Sequence, residues 1–322
     1  MARFKMGNFN NKRKKANMSP MDILRRKLLR LRIWAFSVIG VLVLGLAILI
    51  YGNYDYFLFK ILVGGNYLHT ETLDEMFMEH IGFVPHRHTS HFDNLVIAIM
   101  TREIRDAGGD VYTFMYTPTQ RQAFEQRVQE RATRAQISEV APGVGHLVLY
   151  NISPYVQDFV QNNRYDINAF DSLIIDLRYN NGGELSAMQA IASLFLERGA
   201  TINYENARMG WPFSRERRSR GSQYFEFEQI IILQNDRTAS AAETLIAALS
   251  YNLDNVTTIG TQTFGKAVGQ ALLPLRRGFA VNATVIELQT PEGNSINNVG
   301  IAPDVFFEGD DALELAISKL GN

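Results

Sequence analysis

The chain has 322 residues, 46% hydrophobic and 20% charged, which suits one large domain or two small ones and excludes wholesale disorder. Cysteine is absent, excluding a disulfide framework, a thiol nucleophile and a thiolate metal site. The net charge of −1 conceals a split: residues 1–32 carry 11 of the 32 Lys and Arg with Asp22 as their one acid, so the rest holds 21 basic against 32 acidic residues, a balance of −11 that argues against a nucleic-acid-binding surface.

Residues 1–32 read as a basic tail. Ile33–Tyr51 follows as 19 uncharged residues, roughly 28 Å as a helix and enough to cross a bilayer core. Arg25, Arg26, Lys27, Arg30 and Arg32 abut its start, with Lys12 to Lys15 behind. The positive-inside rule puts this tail in the cytoplasm and everything after Tyr51 outside. A cleaved signal peptide has a shorter apolar region and a small-residue cleavage site, which the residues after Ile50 do not offer. The expectation is a single-pass signal anchor over 33–51, making the membrane a partner.

Residues 52–138 read as a helical subdomain, with helices predicted at Glu71–His80, Asn94–Ala107 and Thr119–Ala135. Residues 139–322 alternate strand and helix. Leu147–Ile152, Ser172–Ile175 and Ile230–Leu233 are apolar runs of buried-strand length, and Phe279–Leu288 alternates as a half-buried strand. Ser186–Glu197 and Ala239–Leu249 have helical spacing, and Asp310–Leu320 is a short amphipathic helix. The fold class is α/β.

Three segments carry chemistry. Thr238-Ala239-Ser240-Ala241-Ala242-Glu243 opens an apolar helix. Ser240 and Glu243 make a capping box, and the same position suits a nucleophile, because the orphan amides of a helix start, Ala241 first, stabilise an oxyanion. Thr263-Phe264-Gly265-Lys266-Ala267-Val268-Gly269-Gln270 holds a lysine among small and apolar residues. Taken alone it is an ordinary surface lysine; buried, it becomes a neutral amine and a base, with Gln270 four residues on to orient it. Asp176-Leu177-Arg178-Tyr179-Asn180-Asn181-Gly182-Gly183 ends a strand in a glycine pair that serves a turn or brings bare backbone to a substrate carbonyl. His146 is the one histidine beyond residue 91, sits at the start of a strand and is expected to lack a nearby acid to orient it, so a Ser-His-Asp arrangement is disfavoured.

Other features are set aside. His86, His88, His91 and Asp93 have zinc-compatible spacing but no hydrolase context, and read as a solvated loop. Met76, Phe77 and Met78 read as helical core. Arg208 to Arg220, with five arginines, reads as an exposed hairpin or loop that presents charge to a partner or closes over a groove.

In this order the three segments resemble the C-terminal processing (tail-specific) peptidases, a family of serine peptidases. Asp176–Gly183 is similar to that family's DLRxNPGG loop, Thr238–Glu243 to its SxSAxE motif and Thr263–Gln270 to its TFGKxxxQ motif. Thr290–Ile296 with Gly300–Val305 is similar to its TPxGxxI…GIxPDV segment. The resemblance runs from about residue 144 to the C-terminus, with a weaker likeness at Asp110–Pro118. It implies a crotonase/ClpP-like spiral of β-β-α units. It implies Ser240 as nucleophile, Lys266 as general base and Gln270 as its orienting partner. Gly182, Gly183 and Ala241 would form the oxyanion hole, with Glu243 and Thr263 in support. No metal or other cofactor is implied. The family's loop proline is Asn181 here, and Ser240 and Lys266 stand 26 apart rather than the usual 25. The family's PDZ domain has only residues 127–146 to occupy, too few for a domain.

The expectation is therefore a membrane-anchored bacterial serine endopeptidase acting on protein or peptide substrates outside the cytoplasmic membrane. A non-catalytic peptide- or envelope-binding module, or a protease active only with a partner protein, is the alternative. A homo-oligomer or an activating partner stays open.

Overall fold

The structure, a computed structural model, describes residues 19–52, 54–69, 90–131, 134–208, 214–221 and 224–321. Its longer helices are α1 (Pro20–Gly52), α2 (Tyr54–Asn66), α3 (Ser90–Gly108), α4 (Pro118–Arg131), α5 (Pro154–Asn162), α6 (Leu185–Phe195), α7 (Ala241–Asn252) and α8 (Ala312–Leu320). The strands are β1 (Phe114–Tyr116), β2 (Ala135–Ala141), β3 (Val144–Leu149), β4 (Ser172–Asp176), β5 (Thr201–Ala207), β6 (Arg215–Arg218), β7 (Gln229–Gln234), β8 (Val256–Gly260), β9 (Val268–Pro274), β10 (Ala280–Gln289) and β11 (Val305–Phe306). The predicted helix Glu71–His80, with Met76, Phe77 and Met78, lies outside the described residues.

The strands form two sheets. One has the order β11-β8-β7-β4-β3-β2, parallel except for the β2–β3 hairpin. Both of its faces are covered, which is why β4 and β7 read as continuous apolar runs. Leu173, Ile175, Ile230 and Ile232 point into a core with α5, α6 and α7, while Ile174, Ile231 and Leu233 point to the other face, against α8. This alternation follows from the two-residue period of a strand.

The second sheet has the order β1-β10-β5-β6, with β9 on the other edge of β10. The N-terminal part is tied to it: Phe59 and Val63 of α2 and Ile97, Met100 and Ile104 of α3 pack on Val281 and Ala283 of β10. The 138/139 division falls inside β2, and β1, drawn from the helical part, pairs with β10.

Several sequence-read boundaries move. The polar helix ends at Arg131 rather than Ala135, because the chain then turns into β2. The strand expected over Leu147–Ile152 occupies Val144–Leu149, since pairing with β2 and β4 begins at Val144. The arginine-rich segment forms the antiparallel β5–β6 hairpin, with residues 209–213 outside the described set. Among the described residues one helix, α1, is long and apolar enough to cross a membrane, and its apolar stretch is not buried by the rest of the chain.

Candidate functional site

Ser240 follows β7 and caps α7 with φ 58° and ψ −121°. That conformation is costly for a residue with a Cβ, about 1–3 kcal/mol, and persists only when its surroundings over-determine it. They do so here: Thr238 Oγ1 donates to Leu177 O (2.9 Å), Ala239 N to Asn180 O (2.9 Å) and Phe264 N to Thr238 O (3.0 Å). Each flanking residue is thus held by another loop.

Glu243, one turn into α7, is fully buried and accepts four hydrogen bonds. Oε2 takes the amides of Ser240 (2.8 Å) and Lys266 (2.9 Å). Oε1 takes the Thr263 hydroxyl (2.5 Å) and the Gly265 amide (2.7 Å). The capping box is therefore half of a larger device, in which one carboxylate oxygen sets the backbone of Ser240 and Lys266 together. Thr263 Oγ1 also accepts from Ile301 N (2.7 Å), and a Cβ on Gly265 (φ +84°) would stand 2.8 Å from the amide nitrogens of Val299 and Gly300. The Thr-Phe-Gly-Lys turn thus rests on the Gly-Ile-Ala-Pro-Asp segment.

Lys266 is half-buried, with Nζ 4.5 Å from the centre of the Tyr112 ring. Burial pushes its ammonium below the ordinary lysine range, and the Asp110 and Glu243 carboxylates offset part of that fall.

The glycine loop reaches Ser240 from β4. A Cβ on Gly182 (φ +91°) would lie 2.8 Å from Ser240 Cβ and 2.9 Å from Ala241 N, and one on Gly183 would lie 1.8 Å from Ile152 O. Only glycine permits this approach. The Gly182 amide donates to Asn180 Oδ1 (2.9 Å), whose buried side chain is anchored on Leu149 O (2.7 Å). Among the described residues no acceptor takes the amides of Gly183 or Ala241.

Ser240, Lys266, Gln270, Gly182 and Gly183 line one concavity of about 740 Å³, walled further by Tyr112, Phe114 and Phe124. Ala241, Glu243 and Thr263 lie buried behind it. Gln270 Nε2 donates to Thr284 Oγ1 (3.3 Å) and Val268 O (3.4 Å), so its carbonyl oxygen remains as an acceptor.

Sequence reasoning missed Asp110 and Tyr112. Buried Asp110 accepts from Tyr112 N (2.9 Å), Thr113 Oγ1 (2.5 Å) and Thr284 Oγ1 (3.2 Å), so it fixes the ring over Lys266 and, through Thr284, the side chain of Gln270. The signal available was the weak likeness at Asp110–Pro118. It did not show that a segment more than 150 residues upstream closes on Lys266.

The reading that His146 lacks an acid is corrected. His146 Nε2 lies 3.4 Å from Asp176 Oδ2, because β3 and β4 are parallel neighbours. Burial opposes ionisation of Asp176, but hydrogen bonds from His146 and Arg178 outweigh it and hold its carboxyl below the usual range. His146 nevertheless does not line the Ser240 pocket. Among the described residues no group of three His, Cys, Asp or Glu is arranged to hold a metal ion. His86 and His88 lie outside those residues, as do the side chains of His91 and Asp93.

The layered α/β fold, with a glycine loop set against a helix-start serine, falls in a peptidase class. More narrowly, the chain belongs to peptidase family S41, whose model matches residues 143–307, from β3 to β11. It is 32% identical over 210 residues to a carboxyl-terminal-processing protease of Synechocystis, covering 64% of this chain and 47% of the relative. Against a carboxy-terminal processing protease of Bacillus subtilis it is 34% identical over 156 residues, covering 46% of this chain and 33% of the relative. The chain thus spans less than half the length of these curated relatives. A solved lipoprotein from Streptococcus agalactiae shares the fold, at a TM-score of 0.65 and 17% identity over 84% of this chain and 96% of that one.

Proposed function

We propose that this protein is a membrane-anchored serine endopeptidase of the C-terminal processing type, cleaving polypeptides outside the cytoplasmic membrane with a Ser240–Lys266 dyad. The observation that carries this reading is the single Glu243 oxygen holding the amides of both residues at the edge of one pocket. Ser240 Oγ attacks the scissile carbonyl carbon while neutral Lys266 Nζ takes its proton. The oxyanion is held by the amides of Gly183 and Ala241, with Gly182 setting the loop against Ser240. The Lys266 ammonium then protonates the leaving amine, and the acyl-enzyme is hydrolysed by water that Lys266 deprotonates. Gln270 accepts from the amine through its carbonyl oxygen, and Glu243 and Thr263 support the turn.

Among the described residues β9 pairs with β10 alone, so its other edge is open beside the pocket. Substrate binds there as an added strand, by main-chain hydrogen bonds. Helix α1 anchors the chain, and its basic N-terminal flank sets the topology. The successions β2-β3-α5, β6-β7-α7 and β10-β11-α8 support a crotonase/ClpP-like spiral of β-β-α units.

Ser240→Ala and Lys266→Ala are each expected to abolish cleavage of an unfolded protein substrate at an unchanged urea midpoint. Activity of the wild type rises with pH as the depressed lysine loses its proton. Turnover in either variant, or a flat profile from about pH 6 to 9, contradicts the mechanism.

A further inference from the structure

A concavity of about 1180 Å³ exceeds the one that holds Ser240 and is distinct from it. It lies beside the β5–β6 hairpin, and its walls carry six arginines: Arg164, Arg198, Arg215, Arg217, Arg218 and Arg220. Two carboxylates answer them. Glu205 pairs with Arg217 (2.7 Å) and more distantly with Arg215 (3.8 Å), and Glu216 pairs with Arg218 (2.8 Å). Six guanidiniums against two carboxylates leave four positive charges, in a chain whose residues after 32 sum to −11. Among the described residues Arg164, Arg198 and Arg220 have no carboxylate partner, and Arg217 Nε is buried with no acceptor.

The basin is continuous with the cleavage pocket. Leu185 and Ser186, in the first turn of α6, line both concavities, directly after Gly183 and Glu184 on the pocket wall. A chain lying across Gly183 that continues over this turn enters the arginines. That continuity favours the substrate itself as occupant over a separate anionic surface. Guanidinium forks match carboxylates two bonds at a time, and clustered charge raises the local concentration of oppositely charged ligands.

Resting on the peptidase reading above, we propose that this basin is a substrate subsite for polypeptide segments rich in Asp and Glu on one side of the scissile bond. It selects substrates by charge within the catalytic domain.

The test uses the full chain in detergent with fluorogenic peptides identical around the cleaved bond, extended on either side by an Asp/Glu tract or its Asn/Gln isostere. Each peptide has a free or an amidated C-terminus, which separates side-chain from terminal carboxylates. The expected acidic-to-neutral ratio of kcat/KM is about 10 or more at low salt, shrinking as salt is raised. In R198Q/R220Q it collapses to about 1 at an unchanged urea midpoint. Fluorescence anisotropy of the labelled acidic peptide on Ser240→Ala gives the same comparison without turnover, so failure of catalysis does not obscure it. A wild-type ratio near 1, a ratio that survives in R198Q/R220Q, or anisotropy blind to charge would overturn the proposal. So would R198Q/R220Q losing phosphatidylglycerol vesicles while retaining the acidic peptide, which would make the basin a membrane contact.

Discussion

Glu243→Gln strikes the site at its hub. The wild-type carboxylate accepts two hydrogen bonds on each oxygen, at 2.5 to 2.9 Å, with no solvent to replace any of them. Glutamine turns one oxygen into a donor. If its carbonyl stays with Ser240 and Lys266, its NH₂ faces the Thr263 hydroxyl, which can reverse, and the Gly265 amide, which cannot. One buried amide is then orphaned, at about 1–3 kcal/mol, and the bonds that remain lose their charge assistance. The sum is about 3–5 kcal/mol, a large share of the ~5–15 kcal/mol that stabilises a typical domain. With a urea slope of about 2–3 kcal/mol per M, the midpoint falls by about 1–2.5 M. The opposite flip orphans Ser240 and Lys266 instead and moves the reacting groups; either way kcat/KM drops by about 10²-fold. Urea unfolding of the full chain in detergent, with kinetics on the same preparation, reads both. A midpoint within about 0.2 M of wild type and kcat/KM within about threefold would refute the placing of Glu243 at the hub of the site.

Asp110→Asn removes a carboxylate that raises the Lys266 pKa, so the acid limb of the pH–rate profile moves to lower pH and kcat falls about tenfold. Thr284→Val cuts the link from Asp110 to Gln270 but keeps the charge, so kcat falls while the limb stays; profiles of both variants separate charge from positioning. The depressed folded-state pKa of Lys266 also makes stability depend on pH: between that value and the ordinary ~10.4 the unfolded chain binds the extra proton, so stability rises with pH across this window. Lys266→Met removes that contribution, and its stability advantage over wild type in urea titrations is greatest near neutrality and shrinks toward pH 10.

What was legible in the sequence was what local periodicity encodes. The runs of β4 and β7 are apolar because helices cover both faces of their sheet, and α3, α6 and α7 show the spacing of their buried sides. Strands β8, β9 and β11 were not legible: three of the five residues of Val256–Gly260 are threonine or glycine, and Val305–Phe306 is two residues long. Their pairing partners, not their composition, make them strands. In the site, local pattern made Glu243 legible as a cap and the family resemblance as a support, because Ser240 lies three residues away, whereas Thr263, Gly265 and Lys266 lie 20 to 23 away and meet it only in the closed fold.

Sequence alone thus determined which groups are available: a serine at a helix start, a lysine after a tight turn, a glycine pair after a buried strand, and a long apolar stretch behind a basic tail. The tertiary structure decided their environment. It buried Glu243 under four donors, set Tyr112 and Asp110 against Lys266, gave His146 an acid partner away from Ser240, and gathered six arginines from separate segments into one basin. The physical reason is that capping and periodicity act within one turn or one strand, whereas desolvation and charge are set by whatever the fold packs alongside.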